Sequence, residues 1–318
     1  VTLPLDKPVP SPAAQTGTPQ TVACLARAVR FSRTEASVSW RMLADNVLVN
    51  VVPPLVFAFG ACLRNEVSAR HTLGNLGAVG VLAFLYGYVF DASNQARGAE
   101  EDRLNKPYRP VPAGLITPAG AAHRFWLVMP LYTLLGWQCG VLEWVLLWQA
   151  DVLVLNFLCT PRAYLWCKTP CMVVGTAAQL AAAWQCVAPL DGTAITWIAV
   201  IALAYPLALI YKDVRDMAGD QAAGRRTPAL VCGAWAVRIW FSGIQAVMPV
   251  LLHVALFAPS GAAPWRLGLC SMGMAVACWI PAVRALLVRH PAGDRTTYQL
   301  FILSYAAALL AGPILWWG

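Results

Sequence analysis

Residues 73–102 read LGNLGAVGVLAFLYGYVFDASNQARGAEED, an uncharged run from Leu73 to Phe90 succeeded closely by Asp91, Glu100, Glu101 and Asp102. A helix of about 20 mostly apolar residues crosses the hydrocarbon of a bilayer, so the run reads as a membrane span. The acids at its end form a local concentration in a chain that has few. Of 318 residues only 15 are Asp or Glu, and 59% are apolar against 12% charged. Soluble domains are about 25% charged. A soluble globule, a disordered chain and a nucleic-acid-binding domain are all excluded by that balance.

Similar runs recur near 42–63, 118–139, 142–160, 170–187, 194–211, 229–257, 265–288 and 297–317. The sequence therefore predicts an all-α polytopic membrane protein with nine transmembrane helices, the long seventh kinked or extended around Pro249. With the N-terminus cytoplasmic, twenty of the 23 Lys and Arg face the cytoplasm, leaving Arg64, Arg70 and Arg266 outside. The positive-inside rule thus sets the orientation, with the C-terminus on the opposite side, and explains the net charge of +8 without nucleic acid. Residues 1–20 carry five prolines and predict a disordered tail, 21–40 an interfacial amphipathic helix, and 41–318 one transmembrane domain. Ten cysteines without a CxxC pair, and four scattered histidines, give no zinc or disulfide framework.

A second acidic segment, YKDVRDMAGDQAAGRRT (211–227), comes after the sixth span and places Asp213, Asp216 and Asp220 on one helical face. In the first segment Asn94, Gly98 and Asp102 recur every four residues, which predicts one face of a continuing helix. Carboxylates stacked in this way raise one another's pKa unless a cation sits among them. Oxygen donors without His or Cys point to Mg2+, which binds largely through substrate phosphates. Lys106, Arg109, Arg162, Lys168, Lys212, Arg225 and Arg226 lie on the same predicted side. Together these residues describe a diphosphate trap at the membrane surface, with the active site opening to the cytoplasm. A transporter is a poor fit, because its sites tend to lie near the midplane and these cations would repel a free metal ion.

The two segments resemble the paired aspartate-rich motifs of the UbiA superfamily of intramembrane prenyltransferases, over about residues 40–318. NKPYRPVPAG (105–114) and KDVRDMAGDQAAGRRT (212–227) carry the resemblance, with TPRAYLWCKTP (160–170) a looser match. It implies nine helices around a central cavity beneath a cytosolic cap, and a prenyl diphosphate substrate, with the lipid bilayer as surroundings and no obligate protein partner. Aromatic prenyltransferases of the family usually carry Asp where this chain has Gly98, and the variant resembles the UbiA-type terpene cyclases. In that reading Asn94 and Asp102 hold magnesium from one side and Asp216 and Asp220 from the other, Asp213 assisting, and either Glu101 or Asp91 compensates for Gly98. Lys106, Arg109, Asn156, Arg162, Lys168, Lys212 and Arg225 are the expected diphosphate contacts.

The expected function is that of an Mg2+-dependent class I terpene cyclase that ionises farnesyl diphosphate and forms a sesquiterpene. The competing expectation is prenyl transfer to an aromatic or other lipophilic acceptor. Asp45, Asn46, Asp151, Gln179, Gln185 and Gln245 divide evenly between cavity and helix-packing readings, because polar groups in a bilayer are costly. The 14 Trp residues divide among cavity, packing and lipid-facing readings.

Overall fold

The computed structural model describes residues 19–317. The expected tail lies almost wholly outside them, and helix α1 (Pro19–Leu43) starts two residues before the expected interfacial segment. Residues up to Trp40 form a unit of their own, on which Arg27 and Arg30 are exposed, and Arg41–Gly318 form the second unit.

The second unit is helical throughout, with no strand among the described residues. Its elements are α2 (Val47–Asn50), α3 (Val52–Arg64), α4 (Ala69–Arg97), α5 (Ala99–Asn105), α6 (Pro118–Gln138), α7 (Leu142–Leu153), α8 (Tyr164–Gln185) and α9 (Gly192–Leu209). They continue with α10 (Lys212–Ala222), α11 (Pro228–Cys232), α12 (Ala234–Leu252), α13 (Pro264–Leu287) and α14 (Pro291–Trp316). π turns extend α7 over Val154–Leu158 and α12 over His253–Phe257. Among the described residues six segments are long and apolar enough to cross a membrane: Val47–Arg64, α4, α9, α12 with its extension to Ser260, α13 and α14. The remaining three expected spans fall on α6, α7 with its π turn, and α8.

Local sequence sets the boundaries. Thr117 caps α6 by accepting from Gly120 N–H at 3.0 Å, with Pro118 in the first turn, where no backbone N–H is needed. Asp191 accepts from Ala194 N–H at 2.7 Å to start α9, and the His290 ring accepts from Gly293 N–H at 3.1 Å to start α14. Three expectations are corrected. The first acidic segment is not one continuous helix, because Gly98 (φ −101°, ψ 24°) breaks it between α4 and α5. The expected seventh span is interrupted at Gly233, whose φ of +86° suits glycine alone, and this sets α11 apart from α12. Finally, α8 begins six residues before the expected span and carries Lys168, holding Pro170 in its second turn.

Successive long helices pack side by side from α3 through α4, α6, α7, α8, α9, α12 and α13 to α14, and α14 returns against α3. Two large apolar cores and a small one around Ala58, Val79 and Ala183 lie within this ring. One of the large cores gathers Phe57, Trp184, Trp197 and Trp316, with the Phe57 and Trp184 rings 5.1 Å apart. The other centres on Tyr86, Phe125, Tyr132 and Trp148. Trp148 donates its indole N–H to the Tyr86 carbonyl at 3.1 Å and stacks on the Tyr86 ring at 4.0 Å, tying α7 to α4.

Gly175 on α8 makes that stack possible: a Cβ there would lie 2.8 Å from Trp148 Cε3 and 2.9 Å from the Tyr86 hydroxyl. Gly175→Ala is expected to cost about 1–3 kcal/mol through overpacking. Gly74→Ala, on the exposed part of α4 with open space around it, is expected to be neutral or stabilising. Thermal unfolding in detergent micelles separates the two.

Candidate active site

The acidic ends of α4, α5 and α10 meet the start of α8 around one cavity, whose volume including its open mouth is about 1070 Å3. Its rim carries Asn94, Glu101, Asp213, Asp216 and Asp220 together with Lys106, Arg109, Lys168, Lys212 and Arg225. Asn156 also faces it and donates to Ser93 Oγ at 2.8 Å. Deeper in, the wall is Tyr86, Phe90, Trp148, Tyr298 and Tyr305 with Leu155, Met172 and Leu209. The Tyr305 hydroxyl is buried in that wall without a hydrogen-bond partner among the described residues.

Asn105 joins the two acidic segments. Its side chain donates to the Asp216 carbonyl at 3.1 Å and accepts from Gly219 N–H at 3.2 Å, so α5 and α10 are pinned to each other. Gly219 is therefore packed inside α10, rather than loosening a loop as its sequence context suggests: a Cβ would come within 2.6 Å of Asn105 Cγ.

Each rim acid has a distinct environment. Lys168 pairs with Asp213 through Oδ1, leaving the buried Asp213 Oδ2 without a partner among the described residues. Arg215 forks onto Asp216 at 2.8 and 3.2 Å. Burial works against ionisation of Asp216, but Arg215, Lys212 and Lys106 outweigh it and hold this carboxyl well below the usual range. Asp220 is pushed up to about 6 by burial and by Asp213 and Asp216, against the pull of Lys168. Burial, Arg109 and Lys212 push Lys106 down to about 8.

Among the described residues no three acids, histidines or cysteines converge closely enough to hold a metal ion. The donors nonetheless suit a divalent cation. A buried unpaired carboxylate oxygen on Asp213 and an Asp220 that resists ionisation beside two further acids are relieved by one positive ion with oxygen preference.

Not every expected residue reaches the cavity. Asp102 is 1% exposed and turned onto Lys106 Nζ (3.2 Å) and Arg109 (3.0 Å). Asp91 is also behind the wall, accepting from Asn46 at 2.6 Å and from Arg109 at 3.4 Å. Arg162 is exposed and does not line the cavity. Of the two acids expected to compensate for Gly98, Glu101 is the one on the rim, paired with Arg225. A side chain at position 98 would point its Cβ to within 3.4 Å of Arg225 Nη2, so Glu101 engages the cation that a carboxylate at 98 would meet. Trp148 is the tryptophan that lines the cavity, whereas Trp184 and Trp197 are core. Sequence reasoning missed Tyr164, which lies under both Arg225 (4.7 Å) and Lys168 (5.4 Å), and the tyrosines of the inner wall. No spacing signal separates these tyrosines from ordinary packing.

Residues 51–305 match the model of the UbiA prenyltransferase family. The chain is 34% identical over 278 residues to a Somaliensene A/B synthase of Streptomyces somaliensis, covering 87% of this chain and 92% of that protein. Two proteins of Hericium erinaceus are also similar. The diterpene cyclase eriG is 33% identical, covering 85% of this chain and 84% of its own, and the polyprenyl transferase eriF is 31% identical, covering 70% and 76%. The fold matches that of a UbiA homolog from Archaeoglobus fulgidus, solved bound to GPP and Mg2+. The TM-score is 0.60 at 15% identity, covering 86% of this chain and 99% of that one.

The Asn105 link generates a prediction. Asn105→Ala removes both bonds between the acidic segments, and is expected to weaken Mg2+-dependent diphosphate binding by roughly tenfold, the effect of losing one or two hydrogen bonds. Titration calorimetry on the full chain reads this directly. Unchanged affinity would mean that the segments hold their places without the link.

Proposed function

The chain belongs to the UbiA prenyltransferase family, and we propose that it is a terpene cyclase, ionising a prenyl diphosphate and cyclising the cation without an acceptor. The observation that carries this reading is one cavity in which an acidic and basic rim leads into an aromatic interior. The synthase and cyclase among its relatives support it, as does the carboxylate missing at Gly98. Farnesyl diphosphate is the proposed substrate and a sesquiterpene the product.

Six spans, with α6, α7 and α8 added, give the nine helices of the proposed membrane domain, its rim facing the cytoplasm together with the N-terminus and forming the cap. Asn94, Asp213, Asp216 and Asp220 would hold Mg2+, with Glu101 supplying the carboxylate that Gly98 lacks. When bound, the ion supplies Lewis acidity that draws charge from the leaving diphosphate. Asp102 and Asp91 are assigned a positioning role, fixing Lys106 and Arg109 from behind.

Ionisation breaks the allylic C–O bond, and its electron pair leaves with the diphosphate. Lys106, Arg109, Lys168, Lys212 and Arg225 meet that negative charge at the rim. The positive charge moves inward on the hydrocarbon, where the faces of Trp148, Tyr86, Phe90 and Tyr298 stabilise it by ~0.5–2 kcal/mol each. An internal double bond then supplies the electrons for ring closure, and the reaction ends with loss of a proton to the released diphosphate, giving a hydrocarbon, or with capture of a water molecule that gives up a proton to it, giving an alcohol. Aliphatic Leu155, Met172 and Leu209 help exclude water, which would otherwise capture the cation early.

Similarity to the polyprenyl transferase eriF favours a second reading, prenyl transfer to a lipophilic acceptor. Incubation of the purified chain with Mg2+ and farnesyl diphosphate alone, with gas chromatography–mass spectrometry of a hexane overlay, separates the two. The expected result is a cyclic hydrocarbon or alcohol that EDTA abolishes, with Asp216→Asn and Asp220→Asn each lowering turnover by at least about a hundredfold. Geranyl and geranylgeranyl diphosphates, assayed alongside, read the chain length. Turnover of all three only after an aromatic acceptor is added would replace the cyclase reading with prenyl transfer.

A further inference from the structure

A second cavity, about 780 Å3 in volume including its open mouth, opens beside the Lys106 and Lys212 side chains. Both lysines line both cavities, as do Asn46, Val49 and Tyr298, and the two ammonium groups are the cations of that shared partition. The new wall adds Asp45, Tyr108, Arg215 and Arg295, and it reaches the surface at Tyr108 and Arg295, which are exposed.

Charge in this space is unbalanced. Its lining contains a single carboxylate, Asp45, which is already engaged by the Tyr108 hydroxyl at 2.8 Å and by Arg109 Nε at 3.2 Å. Arg215 is committed to Asp216 and lies over the Tyr298 ring at 5.2 Å. Lys212 and Arg295 have no carboxylate partner among the described residues.

We propose that this second cavity is a binding vestibule for a diphosphate group, which passes between it and the reaction cavity across the Lys106–Lys212 partition. The proposal rests on the cyclase reading for the identity of the anion. A diphosphate carries several acceptor oxygens, so it can keep one lysine partner while exchanging the other, and the Arg295 fork offers parallel N–H donors at the outer end. The group enters on a prenyl diphosphate or leaves as inorganic diphosphate, and kinetics distinguish these two sources.

The test is titration of inorganic diphosphate into the full chain in detergent with Mg2+, comparing the parent with Arg295→Glu, Arg295→Lys and Arg289→Glu. The parent isotherm is expected to contain a step that weakens about tenfold in Arg295→Glu, the loss of one charge-assisted contact. Arg295→Lys is expected to stay within about threefold of the parent, since it keeps the charge. Arg289, which lies over Trp235 outside the cavity, serves as a control for the general surface field. Equal affinity in the parent and Arg295→Glu would overturn the proposal, and so would equal weakening by Arg289→Glu. Should Arg295→Glu fail to fold, Arg295→Gln makes the same comparison.

A rise in the inhibition constant of inorganic diphosphate, with KM for the prenyl diphosphate unchanged, assigns the vestibule to the outgoing anion. A rise in both assigns it to the incoming group as well. Because the titration needs no turnover, inactivity of the parent towards all three prenyl diphosphates would count against the cyclase reading alone.

Discussion

Arg109 is a guanidinium almost wholly removed from solvent, and three carboxylates from separate parts of the chain converge on it: Asp45, Asp91 and Asp102. A buried ion pair adds little net stability, but an unpaired buried charge is expensive. Arg109 therefore works chiefly as a constraint. The residues just before α2, the end of α4 and the whole of α5 have to stay where one cation can neutralise them all. Asp102 then fixes Lys106 from behind, and that lysine is one of the two that divide the reaction cavity from the space beside it.

The second acidic segment obeys a different balance. Asp213 and Asp216 each have a dedicated cation in Lys168 and Arg215, while Asp220 is paired more loosely, with Arg225 at 3.8 Å and Lys168 acting on it from beside Asp213. Asn105 ties this graded arrangement to the Arg109 cluster with two neutral hydrogen bonds. The two halves of the rim are thus held by quite different forces. One is locked by ion pairs away from the cavity, and the other keeps an uncommitted carboxylate oxygen beside it.

Much of this was legible in the sequence, because a bilayer and a polyanion both leave coarse marks. The apolar runs located the long helices to within a few residues in most cases, and the Asp213, Asp216 and Asp220 face emerged as spaced. What could not be read was set by tertiary neighbours. Four-residue spacing made Asp102 look like a partner of Asn94, but the break at Gly98 and the attraction of Arg109 turn it away. Arg162 and Lys168 looked equivalent in TPRAYLWCKTP, but only Lys168 lies on α8 facing the cavity. The tryptophans drew attention by their number, whereas most of the aromatic wall is tyrosine and phenylalanine, which alternate between packing and lining without any periodic signal. The fork between Glu101 and Asp91 depended on where α5 and α4 turn each acid: Arg225 holds Glu101 at the rim, while Asn46 and Arg109 hold Asp91 behind the wall.

The return of α14 against α3 leaves the ring without a free edge. A staved vessel of this kind cannot be widened by moving one wall, since each helix is wedged between two others. Room for a longer or differently folded hydrocarbon has to come from trimming or enlarging individual side chains that project inward, such as Met172, Leu209 or Trp148. Diversification of such a scaffold should therefore be written as a mould is recut, in the contour of its inner surface, while the helical frame stays fixed.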